Sequence, residues 1–228
     1  MSALRRQDKC RHEKSTLLVN LGCGPIQPGA WINIDCSNRA RLAKYLPWLD
    51  TLLTKLKLIP PTEFSKNTIV FDVRKTLPFE NDSILGFYAG ELLEHLLPKE
   101  TKKLLRECFR ALIPGGHLRI NVPDNYKFWK RYCDEYEKII NTPKGEWRNE
   151  NLTKCIDMFF ENICVTKPIL GSMGHYHKYA YDEVTLTLEM ENVGFINVKR
   201  RELHDSYISN IEAVERRAYL VVEGSKPS

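Results

Sequence analysis

Short β-type runs alternate with helical patterns along most of the chain, and this alternation limits the folds open to it more than any other feature. The runs are rich in Val, Ile, Leu and aromatic residues and cover 17–21, 31–35, 68–72, 86–89, 117–122, 196–201 and 218–222. Strands that alternate with helices build a mainly parallel sheet that helices cover on both faces. The sequence therefore predicts an α/β fold with a doubly wound sheet.

Two helices can be placed with particular clarity. Apolar residues recur at helical spacing in the first of them: Leu104, Leu105, Cys108, Leu112 and Ile113. The run Pro114-Gly115-Gly116 is expected to stop this helix before the strand 117–122. The second helix is predicted over 183–192, with Asp182 as its N-cap and Gly194 at its C-terminal end.

A length of 228 residues with 43% hydrophobic residues suits one continuous core, so a single domain over 1–228 is expected. Within it, the segment 36–66 interrupts the alternation and is predicted to be an insertion. Apolar residues recur at helical spacing over 41–57, and a helix is expected to begin near Pro47, because proline is tolerated in a first helical turn. The apolar face of that helix either packs on the sheet or forms a flexible lid or a contact surface for a greasy substrate.

A second segment, 125–181, begins just beyond a predicted strand and is rich in aromatic residues. They include Phe128, Trp129, Tyr132, Tyr136, Trp147, Phe159, Phe160, Tyr176 and Tyr179. Open α/β sheets bind ligands beyond the carboxyl ends of their strands. We therefore predict an inserted helical cap over the substrate, which is mobile in the free protein and closes around its ligand.

The composition excludes several classes of protein. No apolar run reaches the roughly 18 residues needed to span a bilayer, and the basic N-terminus lacks the apolar stretch of a secretory signal. The seven cysteines are scattered without a C-x-x-C pair, which indicates free thiols in the cytoplasm rather than disulfides or a structural zinc site. The net charge of +5 comes from interleaved charges, so no nucleic-acid partner is expected. The pattern predicts no particular oligomeric state.

The first strand leads into the run Asn20-Leu21-Gly22-Cys23-Gly24, and the next strand ends in Asp35. Gly22 and Gly24 let the backbone turn tightly and approach a ligand. An acid at the tip of the neighbouring strand can accept hydrogen bonds from both hydroxyls of a ribose. This arrangement predicts a site for a cofactor that contains adenosine.

The loop also indicates which adenosine cofactor it binds. A dinucleotide site uses G-x-G-x-x-G with a helix N-terminus aimed at the pyrophosphate. Here Gln27 takes the place of the third glycine, and the nine residues 22–30 are too few for the usual crossover of at least about 10 to 12 residues. A loop without a helix N-terminus would bind the pyrophosphate of NAD poorly. It would bind S-adenosylmethionine with little loss, because the positive end of a helix does not favour a positively charged sulfonium. S-adenosylmethionine is therefore the predicted cofactor, and an NAD-linked oxidoreductase is the alternative.

The third strand supplies the run Phe71-Asp72-Val73 at its end. The carboxylate of Asp72 can accept a hydrogen bond from an adenine amino group, and the amide of Val73 can donate one to the ring. Both acids, Asp35 and Asp72, fall at strand ends in the order that the fold requires. Turn-capping by two ordinary loop acids is the structural alternative.

On these residues the chain resembles the class I S-adenosylmethionine-dependent methyltransferases, and within them a bacterial and archaeal subgroup like the type 11 methyltransferases. The segments that carry the resemblance are LVNLGCGPIQPGAWINIDCS, VFDVRKTLPFENDSILGFYAGELLEHL, LLRECFRALIPGGHLRINVPD and GHYHKYAYDEVTLTLEMENVGF. The resemblance implies a Rossmann-like sheet of seven strands, the last antiparallel, with the cofactor across the strand tips. It implies a methionine-binding loop at Gly22 and Gly24, the ribose acid at Asp35, and adenine contacts at Asp72 and Val73. It also places Ala89 and Gly90 beneath the methyl group, whereas Asn20 departs from the acid found in many members.

The activity that the resemblance implies is transfer of a methyl group from S-adenosylmethionine to a small molecule. A hydroxyl acceptor would benefit from a general base, for which His95, His175 and His177 are candidates, with Tyr179 nearby in sequence. The alternative within the same fold is a protein that binds the cofactor without catalysis.

The run Glu91-Leu92-Leu93-Glu94-His95 follows the fourth strand, where a helix is predicted to begin. On a helix, Glu91, Glu94 and His95 would share one face, and two carboxylates with an imidazole can hold a divalent metal ion. The pattern resembles the metal site of O-methyltransferases that act on small-RNA ends and on ubiquinone precursors, in which a later histidine completes the shell. That resemblance implies a role for His175 or His177. The alternative is a metal-free site, because acids are favoured in the first turn of any helix.

Overall fold

The computed structural model describes residues 17–59, 61, 64, 67–147, 152–154, 156–157, 176–217 and 219–228. The strands are β1 (Leu18–Leu21), β2 (Ile32–Asp35), β3 (Ile69–Val70), β4 (Ile84–Gly90), β5 (Leu112–Val122), β6 (Ile196–Arg200) and β7 (Leu220–Ser225). They form one sheet in the order β3-β2-β1-β4-β5-β7-β6. Strands β1 to β5 are mutually parallel, and β7 runs antiparallel to both of its neighbours. The predicted seven-stranded, mainly parallel sheet is confirmed.

The helices are α1 (Asn38–Tyr45), α2 (Pro47–Lys55), α3 (Pro98–Ala111), α4 (Asn125–Ile140) and α5 (Glu183–Glu191). As predicted, Asp182 caps α5 by accepting a 2.8 Å hydrogen bond from the Thr185 amide. Gly194 ends the turn after that helix with a φ of 115°. No helix in the described part of the chain is long and apolar enough to cross a membrane.

Strand β5 begins earlier than the sequence pattern predicts. Leu112 and Ile113, which were expected to end α3, are its first two residues, and the run Pro114-Gly115-Gly116 lies inside the strand. The Gly115 amide donates to the Lys226 carbonyl across 3.0 Å, and the Lys226 amide donates to Gly116 across 2.9 Å. Pairing with the chain beyond β7 therefore extends the strand through a run that, taken alone, is typical of a turn.

The insertion 36–66 contributes two helices rather than one, and Pro47 opens α2 as predicted. No residue of α2 is buried, although Leu49 and Leu53 on its apolar face are half-buried. The side chains of Trp48 and Leu52 are 66% and 45% exposed. Part of this face is therefore exposed, and its role as a flexible lid or as a contact surface for a greasy substrate stays a prediction.

The predicted cap lies only partly within the described residues. Its described part contains α4, a short 3-10 turn at Lys144–Glu146, and the helical residues 152–154 and 156–157. The ends of the segment meet, because the amide and the side-chain nitrogen of Asn125 donate to the Tyr181 carbonyl at 3.0 and 3.2 Å. The Tyr181 hydroxyl in turn donates to Thr101 Oγ1 on α3 across 2.9 Å. The segment thus leaves and rejoins the core at one place.

Candidate functional site

The carboxyl ends of β1, β2, β3 and β4 lie at one edge of the sheet because these strands are parallel and adjacent. The loop after β1 contains Gly22 and Gly24 with φ angles of 65° and 51°, a region that residues with a side chain rarely adopt. A Cβ at Gly22 would also lie 2.9 Å from Leu92 Cδ1. Glycine at position 22 therefore allows the loop to lie directly against the segment that follows β4.

Asp35 connects the glycine loop to the tip of β2. Its Oδ2 accepts a 2.9 Å hydrogen bond from the Gly24 amide, and its Oδ1 accepts a 2.6 Å bond from the Ser37 amide. The residue is 7% exposed. Each carboxylate oxygen has two lone pairs, so the group can hold the loop and still accept from a ligand hydroxyl.

The other residues predicted for this loop, Asn20, Leu21 and Cys23, contribute chiefly to the structure of the loop and the core. Asn20 is buried, and its side-chain nitrogen donates to the Ile26 carbonyl at 2.9 Å and to Asn33 Oδ1 at 3.3 Å. A carboxylate at position 20 could not donate these bonds, which explains the departure from an acid. Leu21 and Cys23 are buried, so their side chains pack in the core. Burial and the nearby charge of Asp35 raise the pKa of Cys23 to about 12.

At the end of β3, Asp72 forms a two-point ion pair that the sequence analysis missed. Arg74 Nε and Nη2 donate to the two oxygens of Asp72 at 2.8 and 2.7 Å. These bonds lower the pKa of Asp72, although burial opposes them. Burial, then the charge of Asp72, then that of Asp35, raise the pKa of the Cys36 thiol. Asp35 pairs with Val70 on β3, and the Phe71 amide donates to the Asp35 carbonyl across 3.1 Å, so Asp35 and Asp72 lie at neighbouring strand ends. Val73 is buried.

A cavity of about 440 Å³ opens beside Asp72. It lies between the end of β3 and the first insertion helix, and its walls are formed by Arg41, Tyr45, Val70, Phe71, Asp72 and Lys75. A lining that combines the aromatic rings of Tyr45 and Phe71 with charged side chains suits a flat heterocycle with polar edges.

At the tip of β4, Ala89 is buried and Gly90 packs closely against an aromatic ring. A Cβ at Gly90 would lie 2.8 Å from Tyr88 Cζ. Glu91 then turns the chain with a φ of 51°, and only a 3-10 turn, Leu93–His95, follows it. The prediction that Glu91 shares a helical face with Glu94 and His95 is therefore wrong. The Glu91 carboxylate lies 4.0 Å from Arg217 instead.

Glu94, His95 and His177 form a compact cluster just beyond this turn. One oxygen or nitrogen atom from each side chain lies within 4.8 Å of the others. Glu94 is 2% exposed, and its Oε2 has no hydrogen-bond partner. Burial, with a smaller contribution from the Glu91 charge, raises the pKa of Glu94 to about 8. The rings of His95 and His177 meet edge to face, with centroids 4.9 Å apart.

Backbone contacts hold the two halves of this cluster together. The amides of Lys178 and Tyr179 donate to the Glu94 carbonyl at 2.7 and 3.2 Å. His95 Nδ1 lies 3.2 Å from the Tyr176 carbonyl. Since a carbonyl only accepts, Nδ1 carries the hydrogen in this contact, and Nε2 of the neutral ring carries the lone pair.

The structure thus brings together two of the three predicted histidines, His95 and His177. The third, His175, lies outside the described residues. Two arginines near the site, Arg74 and Arg217, escaped prediction. For Arg74 a local signal existed, because an arginine two residues after a strand-end acid can reach back to it; Arg217 is remote in sequence and gave none.

Comparison with known proteins gives the following matches. Residues 20–120 match the family described as methyltransferase domain. No curated protein matches the chain. Among solved structures, it is similar to an S-adenosylmethionine-dependent methyltransferase from Methanosarcina mazei, at 16% identity and TM-score 0.48, covering 100% of this chain and 98% of that one. It is also similar to an S-adenosylmethionine-dependent methyltransferase from Archaeoglobus fulgidus, at 16% identity and TM-score 0.47, covering 98% of this chain and 91% of that one. A third similar structure is Haemonchus contortus phosphoethanolamine N-methyltransferase 2 in complex with S-adenosyl-L-methionine. Its identity is 13% and its TM-score 0.47, and the match covers 99% of this chain and 52% of that one.

Proposed function

We propose that this chain transfers a methyl group from S-adenosylmethionine to a hydroxyl oxygen of a small molecule. The match of residues 20–120 to a methyltransferase domain supports methyl transfer. The observation that carries the proposal is the cluster of Glu94, His95 and His177 immediately after the tip of β4. A hydroxyl is a weak nucleophile near neutral pH and gains from a base that takes its proton. Two imidazoles beside a carboxyl group supply such a base at the place where the acceptor would meet the methyl group.

S-adenosylmethionine supplies a methyl group already activated by its sulfonium, so the work left to the protein is alignment and proton removal. Asp35 would accept from the ribose hydroxyls, while Asp72 and the Val73 amide would bind the adenine edge. His95, through Nε2, or His177 would accept the hydroxyl proton. The oxygen–carbon bond forms as the carbon–sulfur bond breaks, and the sulfur leaves as a neutral thioether. The cap segment 125–181 would close over the acceptor and exclude water.

The test uses S-adenosylmethionine labelled in the methyl group, incubated with the full chain and a small-molecule extract. We expect label in a product that mass spectrometry and NMR identify as a methyl ether. His95→Ala and His177→Ala should lower the rate by about 10² to 10⁴-fold. His117→Ala is the matched control, because His117 stacks on Tyr207 and lines a different cavity. Label on nitrogen or carbon would overturn the acceptor proposal, and so would label on protein or nucleic acid.

We further propose that Glu94, His95 and His177 hold a divalent metal ion. The residues fit one, because Glu94 has a buried, unpartnered oxygen and the donor set of one carboxylate and two imidazoles is that of many catalytic metal sites. A bound ion would orient the acceptor hydroxyl and lower its pKa. It would occupy the imidazole lone pairs, so in the metal-bound site this lowering of the hydroxyl pKa would replace proton acceptance by His95 or His177. Glu91, which the sequence predicted as a metal ligand together with Glu94 and His95, lies outside this cluster.

Binding of Mn²⁺, followed by electron paramagnetic resonance, tests this without an activity assay. We expect one site per chain in the wild type, and at least about 10-fold weaker binding in Glu94→Gln and His177→Ala. Glu91→Gln is the control and should bind as the wild type does. If neither Mn²⁺, Mg²⁺ nor Zn²⁺ binds, or if Glu94→Gln binds normally, the cluster acts in proton transfer alone.

The place of action proposed for the enzyme is the cytoplasm. The cysteines Cys23, Cys36, Cys108 and Cys133 are free thiols, which suits a reducing compartment. Fractionation of cells that produce the tagged full chain tests this, and recovery from a secreted or periplasmic fraction would contradict it.

A further inference from the structure

The hairpin of α1 and α2, taken with the residues that follow it as 38–58, carries a row of exposed apolar side chains. They are Tyr45 (65% exposed), Leu46 (43%), Trp48 (66%), Leu52 (45%), Leu56 (58%) and Leu58 (59%). Trp48 and Leu52 are four residues apart and lie on one side of α2, and Leu56 follows at the same interval as the C-cap of the helix. Scattered exposed leucines need no explanation, but a continuous row of this kind marks an interaction surface.

The charges around this row all have one sign. The exposed charged residues of the hairpin are Arg41, Lys44, Lys55 and Lys57. The single acid, Asp50, is half-buried and forms a 3.2 Å ion pair with Arg39. The apolar row is therefore bordered by positive groups that no exposed carboxylate of the hairpin neutralises.

The chemistry of this surface fits the anionic surface of a lipid bilayer. Tryptophan and tyrosine favour the boundary between headgroups and acyl chains, where leucine adds apolar area. Lysine and arginine at the same depth meet lipid phosphates and gain from the negative surface potential. A protein partner with an apolar groove would satisfy the leucines, but it gives no reason for the uniform positive border.

The hairpin also adjoins the site. It begins directly after Asp35 and Ser37, and Arg41 and Tyr45 form part of the cavity beside Asp72. A surface bound at the hairpin would therefore lie next to the cofactor end of the molecule.

We propose that the exposed face of α1 and α2 binds the surface of anionic membranes, with Trp48 and Leu52 entering the headgroup region and Lys55 and Lys57 contacting lipid phosphates. The binding is peripheral and reversible. It stands independently of the methyl acceptor proposed above, since it rests on the hairpin alone.

The test is co-sedimentation of the full chain with vesicles of phosphatidylcholine, alone or mixed with phosphatidylglycerol. We expect binding to the anionic vesicles, reduced by high salt. Trp48→Ser with Leu52→Ser should weaken it by about 10-fold or more. Lys55→Glu with Lys57→Glu should also weaken it by about 10-fold or more, although it leaves the apolar row in place. Val184→Ser with Leu188→Ser is the matched control, because these residues of α5 are 66% and 51% exposed and lie outside the hairpin.

Thermal unfolding and binding of S-adenosylhomocysteine establish that each variant is folded. Equal binding of wild type and the Trp48 and Leu52 variant would overturn the proposal, and so would binding that ignores the anionic lipid. A wild-type protein that fails to bind vesicles but dimerises in ultracentrifugation, with dimerisation lost in that variant, would assign the face to a second copy of the chain instead.

Discussion

The Gly24 amide donates a 2.9 Å hydrogen bond to Asp35 Oδ2, and this bond joins the loop after β1 to the tip of β2. The two features that most strongly predict an adenosine site are therefore parts of one structure. Asp35 holds the loop that is proposed to face the methionine end of the cofactor, and its remaining lone pairs would be available to the ribose hydroxyls. A change at either residue should affect both ends of the cofactor.

Gly22→Ala should destabilise the protein and weaken binding of S-adenosylhomocysteine. A side chain at a φ of 65° costs about 1–2 kcal/mol, and the close approach to Leu92 adds to that. Gly29→Ala is the matched control, since a Cβ there meets no atom within 4 Å. Urea unfolding and calorimetry of both variants measure the difference, and equal values for the two would contradict the tight loop.

Cofactor binding should protect Cys36 from alkylation. Cys36 directly follows Asp35 at the end of β2, next to the end of β3 that leads to Asp72, so a ligand that spans the two acids should cover it. Mass spectrometry after timed iodoacetamide treatment, with and without S-adenosylhomocysteine, measures the protection. The exposed Cys133 is the internal control and should react at one rate in both conditions. Equal protection of both thiols would indicate a general tightening of the fold, and no protection of Cys36 would contradict the placement of the cofactor.

The pH dependence of Cys23 alkylation gives a separate check. Its pKa is raised to about 12, so the neutral thiol persists and the reactive thiolate forms only as the pH approaches that value. In folded protein, alkylation of Cys23 should stay slow near pH 8 and accelerate above pH 10, whereas denatured protein should react readily near the ordinary thiol pKa of about 8.5. Rapid modification of Cys23 in the folded chain at pH 8 would contradict its buried position.

Arg119→Met should be among the most destabilising substitutions outside the site. Arg119 is fully buried between Glu215 and Glu223, and its five N–H groups all donate hydrogen bonds, two of them to the carbonyls of Glu202 and Asp205. Removing the guanidinium leaves two buried carboxylates uncompensated, at a cost of about 3–5 kcal/mol. Arg106→Met, on the exposed side of α3, is the control for urea unfolding. Similar unfolding midpoints in the two variants would contradict the buried network.

The sequence located the strand tips well, because short apolar runs and the residues that end them are local properties. Asp35 ends β2 as predicted, and Asp72 follows β3 by two residues. Strand β5 was predicted too short, since the pairing of Gly115 and Gly116 with Lys226 involves residues more than 100 positions apart. A local pattern contains no information on that partner.

The cluster after β4 was likewise predicted only in part. The sequence named Glu94, His95 and His177, but it placed Glu91 with them by assuming a helix. The φ of 51° at Glu91 breaks the helical spacing, and a non-glycine residue gives no warning of such a turn. Likewise, the spacing over 41–57 predicted an apolar face on a helix but could not tell whether the sheet or solvent lay opposite it.

Calorimetric titration of S-adenosylhomocysteine into the wild type, Asp35→Ala and Asp205→Ala shows whether the chain binds this cofactor through Asp35. Asp205 is an exposed acid in an ion pair with Arg201 and serves as the control. We expect one site per chain in the wild type and at least about 10-fold weaker binding in Asp35→Ala, because the ribose loses a charged acceptor. Binding in Asp205→Ala should be unchanged. Equal affinity of wild type and Asp35→Ala would rule out the ribose role of Asp35, and a wild type that binds no S-adenosylhomocysteine would rule out the cofactor.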